Sequence, residues 1–210
     1  MGLLSLLFRD PIAFLILAGF LLYSVIAHEV AHGAVALWFG DDTARRSGRL
    51  SLNPLPHLDP IGMLALLLIG FGWAKPVPVS YYRLSGARVG LVAVALAGCV
   101  VNFLIATVAI SVLQLQIVPA GSTLGPVLGL VARINIMLAV FNLIPIPPLD
   151  GSKVLMGFLP PQAQASLARL EPYGFFILII LLFTGLLDPL IRASQRAAVS
   201  LIGALVGGVG

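Results

Sequence analysis

A chain of 210 residues that is 60% hydrophobic and only 10% charged, with a mean hydropathy of +1.09, carries too much apolar surface for a soluble domain. Average soluble chains are roughly half apolar and about a quarter charged, and small domains leave much of their surface wet, so the composition describes an integral membrane protein. The 12 Lys+Arg against 8 Asp+Glu give a net charge of +4; these cations are scattered between apolar runs, which points to membrane topology and away from nucleic acid.

Six apolar segments follow in chain order. The first runs from Pro11 to about Phe39, with Pro11 suited to a helix start and Gly40-Asp41-Asp42 to a stop. Arg9 ahead of so long a run, with no small-residue cleavage site after it, argues against a cleaved signal peptide. The second, Pro60 to Ala74, is short. The third and fourth share the uncharged stretch Val89 to Ala132, divided by the punctuation between Pro119 and Pro126; the fourth continues through Arg133 to about Ile144. The fifth runs from Pro172 to Leu187 and the sixth from about Pro189 to Val206, with Arg192 and Arg196 near its start. A spanning helix needs roughly 20 apolar residues, so segments one, three and four qualify best, and five and six suit a helical hairpin. The expected architecture is one all-α polytopic membrane domain over 1–210, with a core at about 11–160 and a C-terminal hairpin at about 171–208. Cys99, the single cysteine, excludes an internal disulfide framework and reads as a small buried hydrophobe.

Two linking stretches are expected to be non-helical. Arg45 to Asn53 alternates in a way compatible with a short strand. Lys75-Pro76-Val77-Pro78-Val79 is too rich in proline for helix and reads as extended chain.

Two of the three histidines fall within five residues, His28-Glu29-Val30-Ala31-His32. Positions i and i+4 share one helix face, so both imidazoles can meet one ion, and Glu29 stands beside the first of them where a general base is needed. This is the zinc-peptidase pattern His-Glu-x-x-His, and zinc suits imidazole and carboxylate ligands. Ionisable groups inside an apolar span are costly and usually functional; three on one turn need a shared partner, for which a cation is the natural choice. Two histidines leave the site incomplete, and the third ligand is His57, Asp59, Asp150 or another distant acid. Asp150 closes the stretch Asn142-Leu-Ile-Pro-Ile-Pro-Pro-Leu-Asp-Gly151, whose three prolines prevent regular helix and whose glycine permits close approach.

His-Glu-x-x-His in an early span, with Asn-x-x-Pro-x-Pro-x-Leu-Asp-Gly in a later one, resembles the site-2 protease family of intramembrane zinc metalloproteases, peptidase family M50. Leu52-Asn53-Pro54, His57-x-Asp59-Pro60-x-Gly62, Gly72-Trp73-Ala74-Lys75-Pro76-Val77-Pro78-Val79 and Ala97-Gly98-x-x-x-Asn102 add to the likeness, which covers roughly residues 11 to 160. It implies a helical core around one zinc ion, with His28, His32 and Asp150 as ligands, Glu29 as catalytic base and Asn142 as a group that orients substrate or steadies the transition state. Asn53, His57, Asp59 and Asn102 stand as further candidates for substrate contact or for support around the metal; His57 and Asp59 read equally as interfacial caps of segment two. Where the family has Gly-Pro-x-x-Asn, this chain has Gly98-Cys99-Val100-Val101-Asn102, which alters a helix kink and no ligand.

The implied activity is hydrolysis of a peptide bond within or near the span of a membrane-anchored protein, with that substrate and the lipid bilayer as partners. The competing reading is a zinc or proton-coupled transporter using the same polar cluster; Glu29 discriminates, since a protease loses turnover and keeps zinc when that carboxylate is replaced. For His28 and Asp150 to meet at one depth, the first and fourth segments should run parallel, with segment two re-entrant or peripheral. Arg45, Arg46, Arg49, Lys75, Arg83, Arg88, Lys153 and Arg169 then lie on the metal's side of the membrane, against Arg9, Arg192 and Arg196, which makes that side cytoplasmic and puts the N-terminus outside.

Overall fold

The computed structural model describes residues 7–60, 62, 74–119 and 121–207. Asp10 opens the first long helix: its carboxylate accepts the Ala13 amide at 2.9 Å, and Pro11 takes the first helical position, where no amide is missed. This helix, α1 (Pro11–Trp38), ends where Gly40 turns the chain at φ 95°.

The short helix α2 (Thr43–Arg46) follows, held by the Asp42 carboxylate, which pairs with Arg46 at 2.6 Å. The strand expected from Arg45 to Asn53 does not form. Helical geometry persists through Arg46, Gly48 turns the chain at φ 66°, and Arg49 folds inward to donate to the Lys75 carbonyl at 2.6 Å. A strand needs a neighbour to take its amides, and the adjacent 75–80 stretch spends its own groups elsewhere: Lys75 N–H on His57 O at 2.8 Å and Ser80 N–H on Asp41 Oδ2 at 2.6 Å. That stretch is non-helical, as Pro76 and Pro78 dictate. The second apolar segment, 60–74, lies outside the described residues apart from 60, 62 and 74, and Trp73 with it.

The remaining elements are helical: α3 (Arg88–Gln114), α4 (Leu124–Asn142), α5 (Asp150–Phe158), α6 (Pro161–Leu170), α7 (Gly174–Phe183) and α8 (Asp188–Gly207). Helix α3 runs unbroken through Gly98 and Cys99. Among the described residues, four stretches are long and apolar enough to cross a membrane: Pro11–Trp38, Arg88–Gln114, Leu124–Asn142 and Pro161–Phe183. The last joins α6 and α7 through the 3-10 turn Glu171–Tyr173 and so begins at Pro161, ahead of the Pro172 expected from hydropathy. Large apolar side chains point outward on these helices, among them Ile12, Leu15, Val108, Phe176 and Ile180 at 61–69% exposure. Water would penalise that surface, and lipid does not, so the chain is an all-α integral membrane protein.

Helix directions follow from the contacts. Ala13 and Leu17 of α1 pack with Val127 and Val131 of α4, and Ser24 meets Asn135 further along both, so α1 and α4 run parallel, as the motif positions require. Helix α3 is antiparallel to α1: His32 lies at Val94, His28 at Gly98, and Ile105 packs against the cluster holding Leu17. Small residues on α3 let the backbones approach, the usual way helices associate where lipid offers no hydrophobic driving force. Helix α8 covers the outer face of α3 and α4 through Ala198 and Ile202.

Candidate metal centre

Ser24, His28 and His32 are buried on one stripe of α1, four residues apart. The two imidazoles meet edge to face, with Nε2 atoms 3.1 Å apart. Asp150 completes the group: its Oδ2 lies 3.2 Å from His28 Nε2 and 3.3 Å from His32 Nε2. The geometry thus gathers three sequence candidates, His28, His32 and Asp150, at one point, and it leaves His57 and Asp59 elsewhere.

The chemistry of this donor set fits zinc. A tetrahedral zinc site with bonds of about 2.0–2.1 Å separates its ligand atoms by about 3.3–3.4 Å, close to the 3.1–3.3 Å triangle found here. Asp150 Oδ2 is buried and makes no hydrogen bond, though two ring nitrogens face it; lone pairs aimed at a common point are what a cation needs. His32 Nδ1 donates to the Val94 carbonyl at 2.7 Å, which fixes its tautomer and leaves Nε2 free for a metal.

The local chain explains how Asp150 arrives there. Pro145, Pro147 and Pro148 stop α4 after Asn142 and force a turn over 143–149. Every backbone amide of that turn is spent or missing: Leu143 donates to Ala139, Ile144 to Phe141, Ile146 to Ile144 and Leu149 to Ile146. The turn folds back on the start of α5 so closely that a side chain at Gly151 would strike the Leu143 carbonyl. Asp150 is therefore delivered at the first residue of α5.

Glu29 stands beside His28, half-buried, and its Oε2 accepts the Val77 amide at 2.8 Å. Asn142 ends α4 with its side-chain amide donating to the Leu138 carbonyl of its own helix at 3.0 Å. Asn53 is exposed and caps a turn, its Oδ1 accepting the Leu55 amide at 3.1 Å. His57 is fully buried and holds the Ser51 carbonyl at 2.9 Å, which makes it an anchor of the 51–57 loop. Asp59 Oδ1 accepts the Gly62 amide at 2.8 Å, a helix-cap contact. Asn102 is buried on α3.

Sequence reasoning missed four contributors: the Val94 carbonyl, the Val77 amide, Arg49 and the role of Gly98. A Cβ at Gly98 would lie 2.5–2.6 Å from the His28 ring, so only glycine leaves room for that ring. Val94, Gly98 and Asn102 repeat every four residues along the face of α3 turned to α1, a spacing that could have exposed the last of these.

Residues 117–185 match the model of peptidase family M50. Over 196 residues, covering 88% of this chain and 90% of the relative, the chain is 38% identical to YwhC of Bacillus subtilis, a zinc metalloprotease by name. It is 31% identical over 83% of its length to Rip2 of Mycolicibacterium smegmatis, and 31% identical over 80% of its length to Rip2 of Mycobacterium tuberculosis; these cover 68% and 66% of the relatives, which bear the same kind of name. No solved structure matches the chain at a significant level.

Proposed function

We propose that this chain, which belongs to the site-2 protease family of zinc metalloproteases (peptidase family M50), hydrolyses a peptide bond within or beside the span of a membrane-anchored protein, with His28, His32 and Asp150 as its zinc ligands and Glu29 as its general base. The observation that carries this reading is the convergence of two imidazole nitrogens and one carboxylate oxygen, 3.1–3.3 Å apart, between helices apolar enough to lie in lipid.

Bound by these three groups, zinc supplies the Lewis acidity that polarises a scissile carbonyl and acidifies water. The Glu29 carboxylate takes a proton from the attacking water and passes it to the leaving amine. The Val77 amide holds Oε2, and Oε1 is the oxygen assigned to take that proton. His32 keeps its ring oriented through Val94. The side chain of Asn142, which ends α4 ahead of a turn with no free backbone amide between 143 and 149, is our candidate donor for the developing oxyanion; it would reach that role by turning from Leu138. The cation excess on the metal's side of the helices supports an active site nearer the cytoplasm and an external N-terminus.

The test pairs metal analysis with cleavage of single-span helices in liposomes. Glu29→Gln should keep its zinc and lose turnover by about 10²–10⁴, while Asp150→Ala should lose zinc. Full zinc retention in Asp150→Ala overturns the third ligand. Cleavage of soluble peptides alone, with every membrane helix left intact, overturns the intramembrane reading.

A further inference from the structure

Beneath the metal site lies a buried polar layer. Antiparallel register places His32 at Val94 and His28 at Gly98, so the next turn of each helix sets Ser24 level with Asn102. Helix α4 adds Asn135, whose Nδ2 donates to Ser24 Oγ at 3.0 Å and to its own Val131 carbonyl at 2.9 Å. All three are almost wholly enclosed: Ser24 is 2%, Asn102 1% and Asn135 0% exposed. Four atoms in and above this layer have no hydrogen-bond partner among the described residues, namely His28 Nδ1, Asn102 Nδ2 and Oδ1, and Asn135 Oδ1.

That leaves the two histidines unequal. His32 has its outer nitrogen tied to a carbonyl; His28 has no such tie among the described residues. A metal-binding imidazole ordinarily donates its other N–H to an acceptor, which fixes tautomer and ring orientation. Helical side chains lean toward the N-terminus of their own helix. In this antiparallel pair His28 therefore leans toward the Asn102 level and Asn102 leans toward the His28 level, with the side-chain-free Gly98 on the turn between them. Buried polar groups are rarely left unpaired, and a buried water typically makes about three hydrogen bonds.

We propose that Asn102 is the positioning residue for His28: its side-chain carbonyl takes the Nδ1 proton of His28, through one internal water shared with Asn135 Oδ1, so that Nε2 is presented to the metal. This rests on the reading of His28 as a zinc ligand. The bridging water accepts from His28 Nδ1–H and donates to the two asparagine carbonyls. Asn135 itself is fixed by Ser24, which makes the layer a rigid floor set across three helices.

The test measures zinc affinity of the full-length protein by chelator competition, the visible spectrum of its cobalt form, and the melting temperature of the metal-free protein. Asn102→Leu should weaken zinc binding by about 10–100-fold and alter the cobalt spectrum, whereas Asn102→Asp, which keeps an acceptor, should bind zinc within about threefold of wild type or more tightly. Wild-type affinity and spectrum in Asn102→Leu overturn the proposal. So does equal loss in the leucine and aspartate variants, which is the signature of packing alone. If the leucine variant does not fold, Asn102→Ala replaces it with the same expected direction and the same overturning result. His28→Ala is the separate control: zinc retained there would refute the ligand reading, while zinc lost there and unchanged in Asn102→Leu would refute the positioning role only.

Discussion

The Oε2 of Glu29 accepts a 2.8 Å hydrogen bond from the backbone amide of Val77, 48 residues away in sequence. That stretch is itself tied down on both sides, by Arg49 and His57 at Lys75 and by Asp41 at Ser80. Pro76 and Pro78 have no amides, so Val77 is the donor this strap offers the carboxylate. A hydrogen bond to a charged group is worth roughly 1.5–3 kcal/mol. Val77→Pro removes it without adding bulk at the ligands. We expect kcat to fall about tenfold or more, with zinc content unchanged; unchanged kcat would show that the base needs no such anchor.

Gly98 makes a second prediction. Its missing side chain is the space occupied by the His28 ring, at 2.5–2.6 Å from a would-be Cβ. The neighbour in the way is the His28 ring, a proposed zinc ligand already held against His32 and Asp150, so it cannot simply swing aside. Gly98→Ala should lower zinc affinity by at least tenfold, read by chelator competition, as displaced metal ligands do. Gly19, which has nothing within 4 Å of a would-be Cβ, is the control: Gly19→Ala should bind zinc as wild type does.

Asp41 sets an acid limit on stability. Burial works to raise its carboxyl, and hydrogen bonds from the Thr43 hydroxyl and from the Ser80 and Thr43 amides outweigh that and hold it below its ordinary value. A lowered folded-state value means that Asp41 contributes stability above its unfolded value of about 3.9 and that this contribution is lost as pH falls through the folded value. Asp41→Asn should therefore melt lower than wild type at neutral pH, and the gap should shrink below about pH 4. A gap independent of pH would refute this assignment.

The orientation is open to direct labelling. Tyr82 is 87% exposed in the 3-10 turn Tyr81–Arg83, on the metal's side of the helices, and Cys99 is buried. In intact cells, Tyr82→Cys should resist an impermeant thiol reagent and react once the membrane is opened. Reaction in intact cells would reverse the topology.

Much of the site could be read from the chain. His28, Glu29 and His32 are one helical turn, and local spacing is enough to put two imidazoles on one face. Pro145, Pro147 and Pro148 announce the break that delivers Asp150, because a missing amide breaks a helix wherever it occurs. The alternation between Arg45 and Asn53 misled: Arg49 and Leu50 turn inward one after the other between exposed residues, and a strand depends on a partner that no local pattern supplies.

Composition placed this protein in lipid and helical spacing put two imidazoles on one face of its first apolar segment, while the family resemblance implied Asp150 at the end of the fourth and hence two parallel helices. The tertiary structure alone brought Asp150, and not His57 or Asp59, to within 3.3 Å of both imidazoles, set the Glu29 carboxylate on the Val77 amide, cleared space for the His28 ring at Gly98 and buried Asn102 and Asn135. The physical reason is the range of the forces involved. Helix formation and its termination are written in a few neighbouring residues, whereas the Glu29–Val77 and Ser24–Asn135 hydrogen bonds join residues 48 and 111 positions apart, the first set by how the 75–80 strap is tied down and the second by the packing of α1 against α4.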